Sequence, residues 1–139
     1  MYELVAESAF DSAHFLTDYH GKCENLHGHR WRVLATIAAD ALKTEGDERD
    51  MVCDFSAFKH AVRDVAASLD HTLLLEEGSL KDATIQALRE EEFTITTLPF
   101  RTTAENLAKH IFDILKAQGW NVVSVEVDET PNNRAIYRA

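Results

Sequence analysis

The chain has 139 residues, 45% of them hydrophobic, which suits a single domain with one core, and no apolar run approaches membrane-spanning length. Its 24 acidic residues against 14 basic ones leave a net charge of −10, which argues against a duplex nucleic-acid binder and requires any anionic substrate to be met by a local basic cluster. The opening Met1-Tyr2-Glu3-Leu4 has neither a basic nor an apolar leader pattern, and Cys23 and Cys53 make a poor disulfide framework, so the expectation is a cytoplasmic protein with reduced thiols.

Residues 2–10 are rich in β-formers and loosely alternating, which predicts a first strand ending near Asp11-Ser12-Ala13-His14-Phe15. The polar stretch 16–26, with Gly21, predicts a loop that delivers Cys23. Residues 27–39 read as a second strand with Trp31, Val33, Ala35 and Ile37 on one side; His27 and His29 share that parity and extend the same face. Residues 40–50 form a charged turn. Asp54 is an expected N-cap for a helix carrying Phe55, Phe58, Val62, Val65, Ala66 and Leu69 on one stripe and stopping near Leu69-Asp70-His71. Residues 72–100 are the least patterned, with a short helix over Ala83–Glu92 and a short strand over Phe93–Leu98 the best fits. Thr102-Thr103-Ala104-Glu105 reads as a capping box, a hydroxyl followed three residues later by Glu, opening a helix through Leu107, Ala108, Ile111, Phe112 and Leu115 to a stop at Gly119. Trp120–Asp128 alternates as a strand with one buried face, 129–133 is a turn, and Arg134–Arg138 a last strand. Paired strands at each end with helices between them predict one α+β domain over 1–139, a four-stranded antiparallel sheet covered on one face by two helices.

Chemistry concentrates near the second strand. His27 and His29 present two imidazoles on one face, and His14 and Cys23 bring the potential ligands to four within sixteen residues. Three histidines with an open fourth position are the pattern of a catalytic zinc; a closed structural site would instead hold Cys23 as a permanent ligand. Cys23 is otherwise a thiol working beside the metal, or an inert loop thiol. Asp70 and His71 follow a helix end, where adjacent residues do not face each other, so sequence alone implies no Asp–His dyad. Glu129, at the end of an alternating strand, is either a solvated turn acid or a carboxylate that grips a guanidine-like donor pair on a heterocycle. His20, His60, His110 and Cys53 receive no role.

Phe10-Asp11-Ser12-Ala13-His14, the Cys-x-x-x-His-Gly-His of Cys23 to His29, Asp54-Phe55, Leu69-Asp70-His71, Thr103-Ala104-Glu105-Asn106-Leu107 and Glu129-Thr130 occur in that order across nearly the whole chain. Together they resemble the 6-pyruvoyltetrahydropterin synthase superfamily, and within it the bacterial 6-carboxytetrahydropterin synthases of queuosine biosynthesis. The resemblance implies a tunnelling fold (T-fold) whose sheets join into a barrel in a trimer, two trimers stacking as a homohexamer with active sites between subunits. It implies zinc on His14, His27 and His29, Cys23 as proton-abstracting base, Asp70 and His71 as an acid/base relay, and Glu129 as pterin anchor with Thr102 and Thr103 close by. The implied reaction is a zinc-dependent lyase converting 7,8-dihydroneopterin triphosphate to 6-carboxytetrahydropterin, acetaldehyde and triphosphate, with Lys22, Arg30 and Arg101 as flanking candidates for the phosphates. No nucleic acid or membrane is implied. The chain departs from the family at Thr72-Leu73-Leu74-Leu75, where Asn is common, and in a longer stretch from Glu76 to Phe100. The alternatives are the pyruvoyl branch (triphosphate elimination only), a cupin-like three-His metalloprotein, and a non-catalytic module with structural zinc. The lack of an acid between His29 and Asp40 counts against the cupin reading.

Overall fold

A 13-residue strand β1 (Tyr2–His14) runs antiparallel to an equally long β2 (His27–Ala39) over its whole length in the computed structural model, which describes Met1 to Ala139. The chain continues as α1 (Phe55–Ser68), β3 (Leu73–Glu76), α2 (Asp82–Glu90), β4 (Ile95–Leu98), α3 (Ala104–Ala117), β5 (Val122–Thr130) and β6 (Asn133–Arg138). The strands form one mixed sheet in the order β4-β3-β1-β2-β5-β6, antiparallel from β1 to β6 and parallel where β3 joins β1 and β4 joins β3. The class is α+β, and no helix is long and apolar enough to cross a membrane.

The expected four strands and two helices are corrected to six strands and three α-helices. The four antiparallel strands are β1, β2, β5 and β6, and the addition is β3, α2 and β4. Leu74 and Leu75 point to opposite sides of β3, yet both are buried. A strand covered on both faces shows no alternation, so the run of three leucines in β3 gives no periodic signal. β1 also extends to His14, past the weakly patterned residues 11–14, because β2 pairs with it to the end, His14 opposite His27 and Ser12 opposite His29.

One face of the sheet carries the core. Ala6 and Phe10 of β1, Trp31, Val33, Ala35 and Ile37 of β2, and Val125 and Val127 of β5 pack with Phe58, Val62, Val65 and Ala66 of α1 and Leu107, Ala108, Ile111, Phe112 and Leu115 of α3 in a single cluster. α1 starts as expected, with the Ser56 N–H donating to the Asp54 carboxylate at 2.8 Å. α3 starts one residue later than the capping box predicts: Thr103 is the N-cap and accepts from the Asn106 N–H at 3.3 Å, which leaves Thr102 upstream and fully buried. α3 ends just before Gly119, whose φ of +94° is the left-handed conformation a helix stop requires. α2 buries none of its residues.

The opposite face of the sheet has no helix over it. It carries a run of ion pairs from Glu7 through Arg32 to Asp128, with Arg134 pairing Glu126 at 3.2 Å. Three strand edges are also open: β1 meets β3 only at Ala13 and Leu73, and neither β4 nor β6 has an outer neighbour.

Candidate metal centre and active site

The hairpin register places three histidines together. His14 closes β1, His27 opens β2 directly across from it, and His29 lies two residues on, with parity that puts all three on the core face. Their ring centroids are 4.6 Å (His14–His27), 4.7 Å (His27–His29) and 5.2 Å (His14–His29) apart. Glu129 of β5 shares the parity of Val125 and Val127 and therefore reaches the same face. Its Oε1 lies 2.8 Å from His29 Nε2 and 3.9 Å from His14 Nε2. One donor atom from each of the four residues lies within 4.8 Å of all the others.

The tautomers follow from the carbonyls around the rings. His14 Nδ1 is 2.8 Å from the Thr102 carbonyl, and His27 Nδ1 is 2.6 Å from the Asn25 carbonyl. A carbonyl only accepts, so each Nδ1 carries the proton and each Nε2 keeps its lone pair. The Nε2 atoms of His14 and His27 are buried without a hydrogen-bond partner, and that of His29 meets the Glu129 carboxylate at 2.8 Å. Orphaned buried acceptors of this kind are costly unless a cation satisfies them. Burial pushes His14 down to about 4; the Thr102 carbonyl opposes that shift, and the neighbouring His27 and His29 add to it. Burial also lowers His29, against the pull of Glu129. Trp31 forms the apolar floor, nearly perpendicular to His14 and His29 at 4.8 and 5.2 Å between centroids, with its indole N–H donating to the Ser12 carbonyl. Three neutral imidazoles and a carboxylate over an apolar floor fit a borderline divalent ion such as zinc.

The other expected residues are distributed around this cluster. Cys23 sits half-buried in the short 3-10 turn Lys22–Glu24, whose Cys23 carbonyl accepts from the Leu16 N–H at 2.8 Å; it is not among the four clustered donors. Thr102 lies against His14, its hydroxyl 3.2 Å from Nδ1, and the Thr103 hydroxyl is engaged as a cap. Of the candidate phosphate cations, Arg101 donates to the Thr17 carbonyl and Arg30 pairs with Asp11 at 3.1 Å.

Asp70 and His71 overturn the expectation that neighbours past a helix end do not meet. His71 has φ of +51°, and this turns its ring back so that Nδ1 lies 2.8 Å from Asp70 Oδ2. The backbone of Asp11 fixes the pair: its N–H donates to Asp70 Oδ1 at 2.8 Å, and its carbonyl accepts from the His71 N–H at 2.6 Å. That N–H and then His71 hold the Asp70 carboxyl below its ordinary range, while Asp70 raises His71. The His71 side chain is 79% exposed and lines a cavity of about 460 Å³ with Leu26, Leu88, Phe93 and Ile95; none of the four clustered donors lines it.

Sequence reading missed two features here. Glu129 as a neighbour of the histidines was legible, since Val125, Val127 and Glu129 share one parity. The Thr102 carbonyl beneath His14 was not, because the two residues are 88 positions apart and a backbone acceptor leaves no mark on residue type.

The family profile described as 6-pyruvoyl tetrahydropterin synthase matches residues 3–139. A 6-carboxy-5,6,7,8-tetrahydropterin synthase of Haemophilus influenzae is 35% identical over 141 residues, covering 99% of each chain. Among solved structures, an uncharacterized protein of Wolinella succinogenes superposes with a TM-score of 0.78 at 20% identity, covering 99% of this chain and 97% of that one. The 6-pyruvoyl tetrahydropterin synthase of Plasmodium falciparum superposes with a TM-score of 0.68 at 23% identity and the same coverage.

Proposed function

The chain belongs to the 6-pyruvoyl tetrahydropterin synthase family, and on that footing we propose that it is a zinc-dependent 6-carboxy-5,6,7,8-tetrahydropterin synthase. It converts 7,8-dihydroneopterin triphosphate to 6-carboxytetrahydropterin, acetaldehyde and triphosphate, a step of 7-deazaguanine (queuosine) synthesis, in a reducing cytoplasm where both cysteines stay thiols. The observation that carries the reading is the convergence of three imidazole Nε2 atoms, two of them buried and unpartnered, with the Glu129 carboxylate on one face of the sheet, in a chain similar along its whole length to a carboxytetrahydropterin synthase.

The residues divide the work. His14, His27 and His29 hold the ion. Zinc there supplies Lewis acidity that polarises the side-chain oxygens of the substrate and acidifies the adjacent C–H. Glu129 receives the donor pair of the pterin ring, and Thr102 and Thr103 stand beside it as further substrate contacts. Cys23 takes the proton from the side-chain carbon. His71, kept basic by Asp70, relays or returns a proton at its exposed Nε2. None of the four clustered donors lines the cavity beside the dyad, which supports a complete site that brings His71 of one subunit to the histidines of another, in a hexamer built as two stacked trimers.

The test is the mass of the product formed anaerobically from 7,8-dihydroneopterin triphosphate. 6-Carboxytetrahydropterin with acetaldehyde is expected. 6-Pyruvoyltetrahydropterin would place the protein in the other branch, and no turnover with zinc present would reject the enzyme reading.

A further inference from the structure

We propose that Thr17, Glu76 and Arg101 are positioning residues for the reaction: they clamp the loop between β1 and β2 and so fix the turn that carries Cys23. The proposal deepens the reading above and rests on it, since it takes Cys23 as the base.

Cys23 rides on residues 15–26, whose only regular structure is the short turn Lys22–Glu24. That turn bonds largely to itself: the Glu24 N–H donates to the Gly21 carbonyl and the Asn25 N–H to the Lys22 carbonyl, each at 3.2 Å. Its carbonyls reach outward at two points. The Asn25 carbonyl meets His27 Nδ1, and the Cys23 carbonyl accepts from the Leu16 N–H at 2.8 Å. The Tyr19 ring also lies against Gly21, where a Cβ would come within 2.7 Å of a ring carbon. The place of Cys23 therefore depends on how the limb from Leu16 to Tyr19 is held.

That limb is held at Thr17. The Thr17 hydroxyl donates to the Glu76 carboxylate, and the Arg101 guanidinium donates to the Thr17 carbonyl. All three residues are half-buried, and hydrogen bonds to charged groups are the stronger kind. The pairing of β3 with β4 explains how two charged side chains far apart in sequence reach one loop residue. Glu76 closes β3 opposite Leu98, and the Glu77 N–H donates to the Leu98 carbonyl at 2.8 Å, so the two strand ends are joined. Arg101 follows Leu98 by three residues, and the Asn106 amide fixes its backbone from α3, donating to the Arg101 carbonyl at 2.9 Å. The segment β3-α2-β4 gives no donor to the metal cluster; its strand ends deliver the clamp. Positioning of this kind acts on rate, because a reacting group misplaced by about 1 Å can cost about 10²-fold.

The experiment measures zinc content, kcat and KM for 7,8-dihydroneopterin triphosphate on the full chain and on Thr17→Val, Thr17→Ser, Glu76→Ala and Arg101→Met, each also combined with Cys23→Ala. Thr17→Val keeps the shape of the side chain and removes its donor. It is expected to keep zinc and KM and to lose kcat by up to about 10²-fold. Thr17→Ser, which keeps the donor, is expected to restore kcat, and Glu76→Ala and Arg101→Met to behave as Thr17→Val does. Combined with Cys23→Ala, the same substitutions are expected to cost nothing further, because residues that act through one group are not additive. Unchanged kcat in Thr17→Val, equal losses in Thr17→Val and Thr17→Ser, or a loss of full size in the Cys23→Ala background overturns the proposal. A rise in KM alone for Arg101→Met also overturns it, and makes that arginine a triphosphate contact. Near-normal turnover by Cys23→Ala itself removes the base, and with it both the reading and the proposal; a disabled Cys23→Ala beside fully active clamp variants overturns the proposal alone.

Discussion

His71 adopts a left-handed backbone conformation that costs a non-glycine residue of order 1 kcal/mol or more, and that strain is what brings its ring onto the carboxylate of its own neighbour. The motif Asp70-His71 was legible as a candidate pair, but its geometry was not, since helical spacing says that adjacent side chains diverge. The dyad makes a definite prediction. Asp70 raises His71, so the protonated ring is the favoured partner; the small stability this gives is complete below the unfolded value of about 6.5 and is lost as pH rises through the raised folded value. Asp70→Asn should therefore move the His71 titration, followed by its ring proton resonance, back down toward the ordinary value, and an unmoved titration would contradict the pairing. Cys23 makes a second prediction. The donor cluster does not include it, so Cys23→Ala should keep its zinc while turnover falls about 10²–10⁴-fold, the contribution of a positioned base. Zinc lost together with activity would return Cys23 to the ligand set, and near-normal turnover would remove it from the mechanism.

The elements differ in how plainly the sequence marks them. β2 was readable because Trp31, Val33, Ala35 and Ile37 alternate with exposed or half-buried residues along a strand covered on one face, and the same alternation aligns His27 and His29 with the core. α1 and α3 were readable from their apolar stripes and capping residues. β3 was invisible for the opposite reason: burial on both sides removes the pattern. α2 could be read as a helix but not placed, since it buries none of its residues and leaves Leu88 beside Phe93 at the cavity next to His71. The cap of α3 shows how one residue of register matters. With Thr103 at the N-cap, Thr102 is drawn into the core and its carbonyl becomes the acceptor that sets the tautomer of His14. A capping box centred on Thr102 would have spent that residue on the helix.

At the scale of the molecule, the fold turns one face of the sheet toward helices and leaves the other bare and charged, with open edges on β1, β4 and β6. Unpaired edges of this length invite pairing with another chain, and a second copy is the partner that closes them symmetrically. A hexamer near 94 kDa, six times the 15.7 kDa chain, is the expected species by light scattering at micromolar concentration; a monomer would contradict both the closure of the edges and the shared active site. The proposed hexamer would bring the two halves of the chemistry together, but the central claim is the chemistry itself. It is tested most directly by stripping the protein of metal, returning zinc in steps, and following 6-carboxytetrahydropterin formed from 7,8-dihydroneopterin triphosphate. The account predicts no product from the stripped protein and a linear recovery that breaks at about one zinc per chain, the capacity of the single His14, His27, His29 and Glu129 cluster. Full turnover by the metal-free protein, or recovery that never follows zinc, would contradict it.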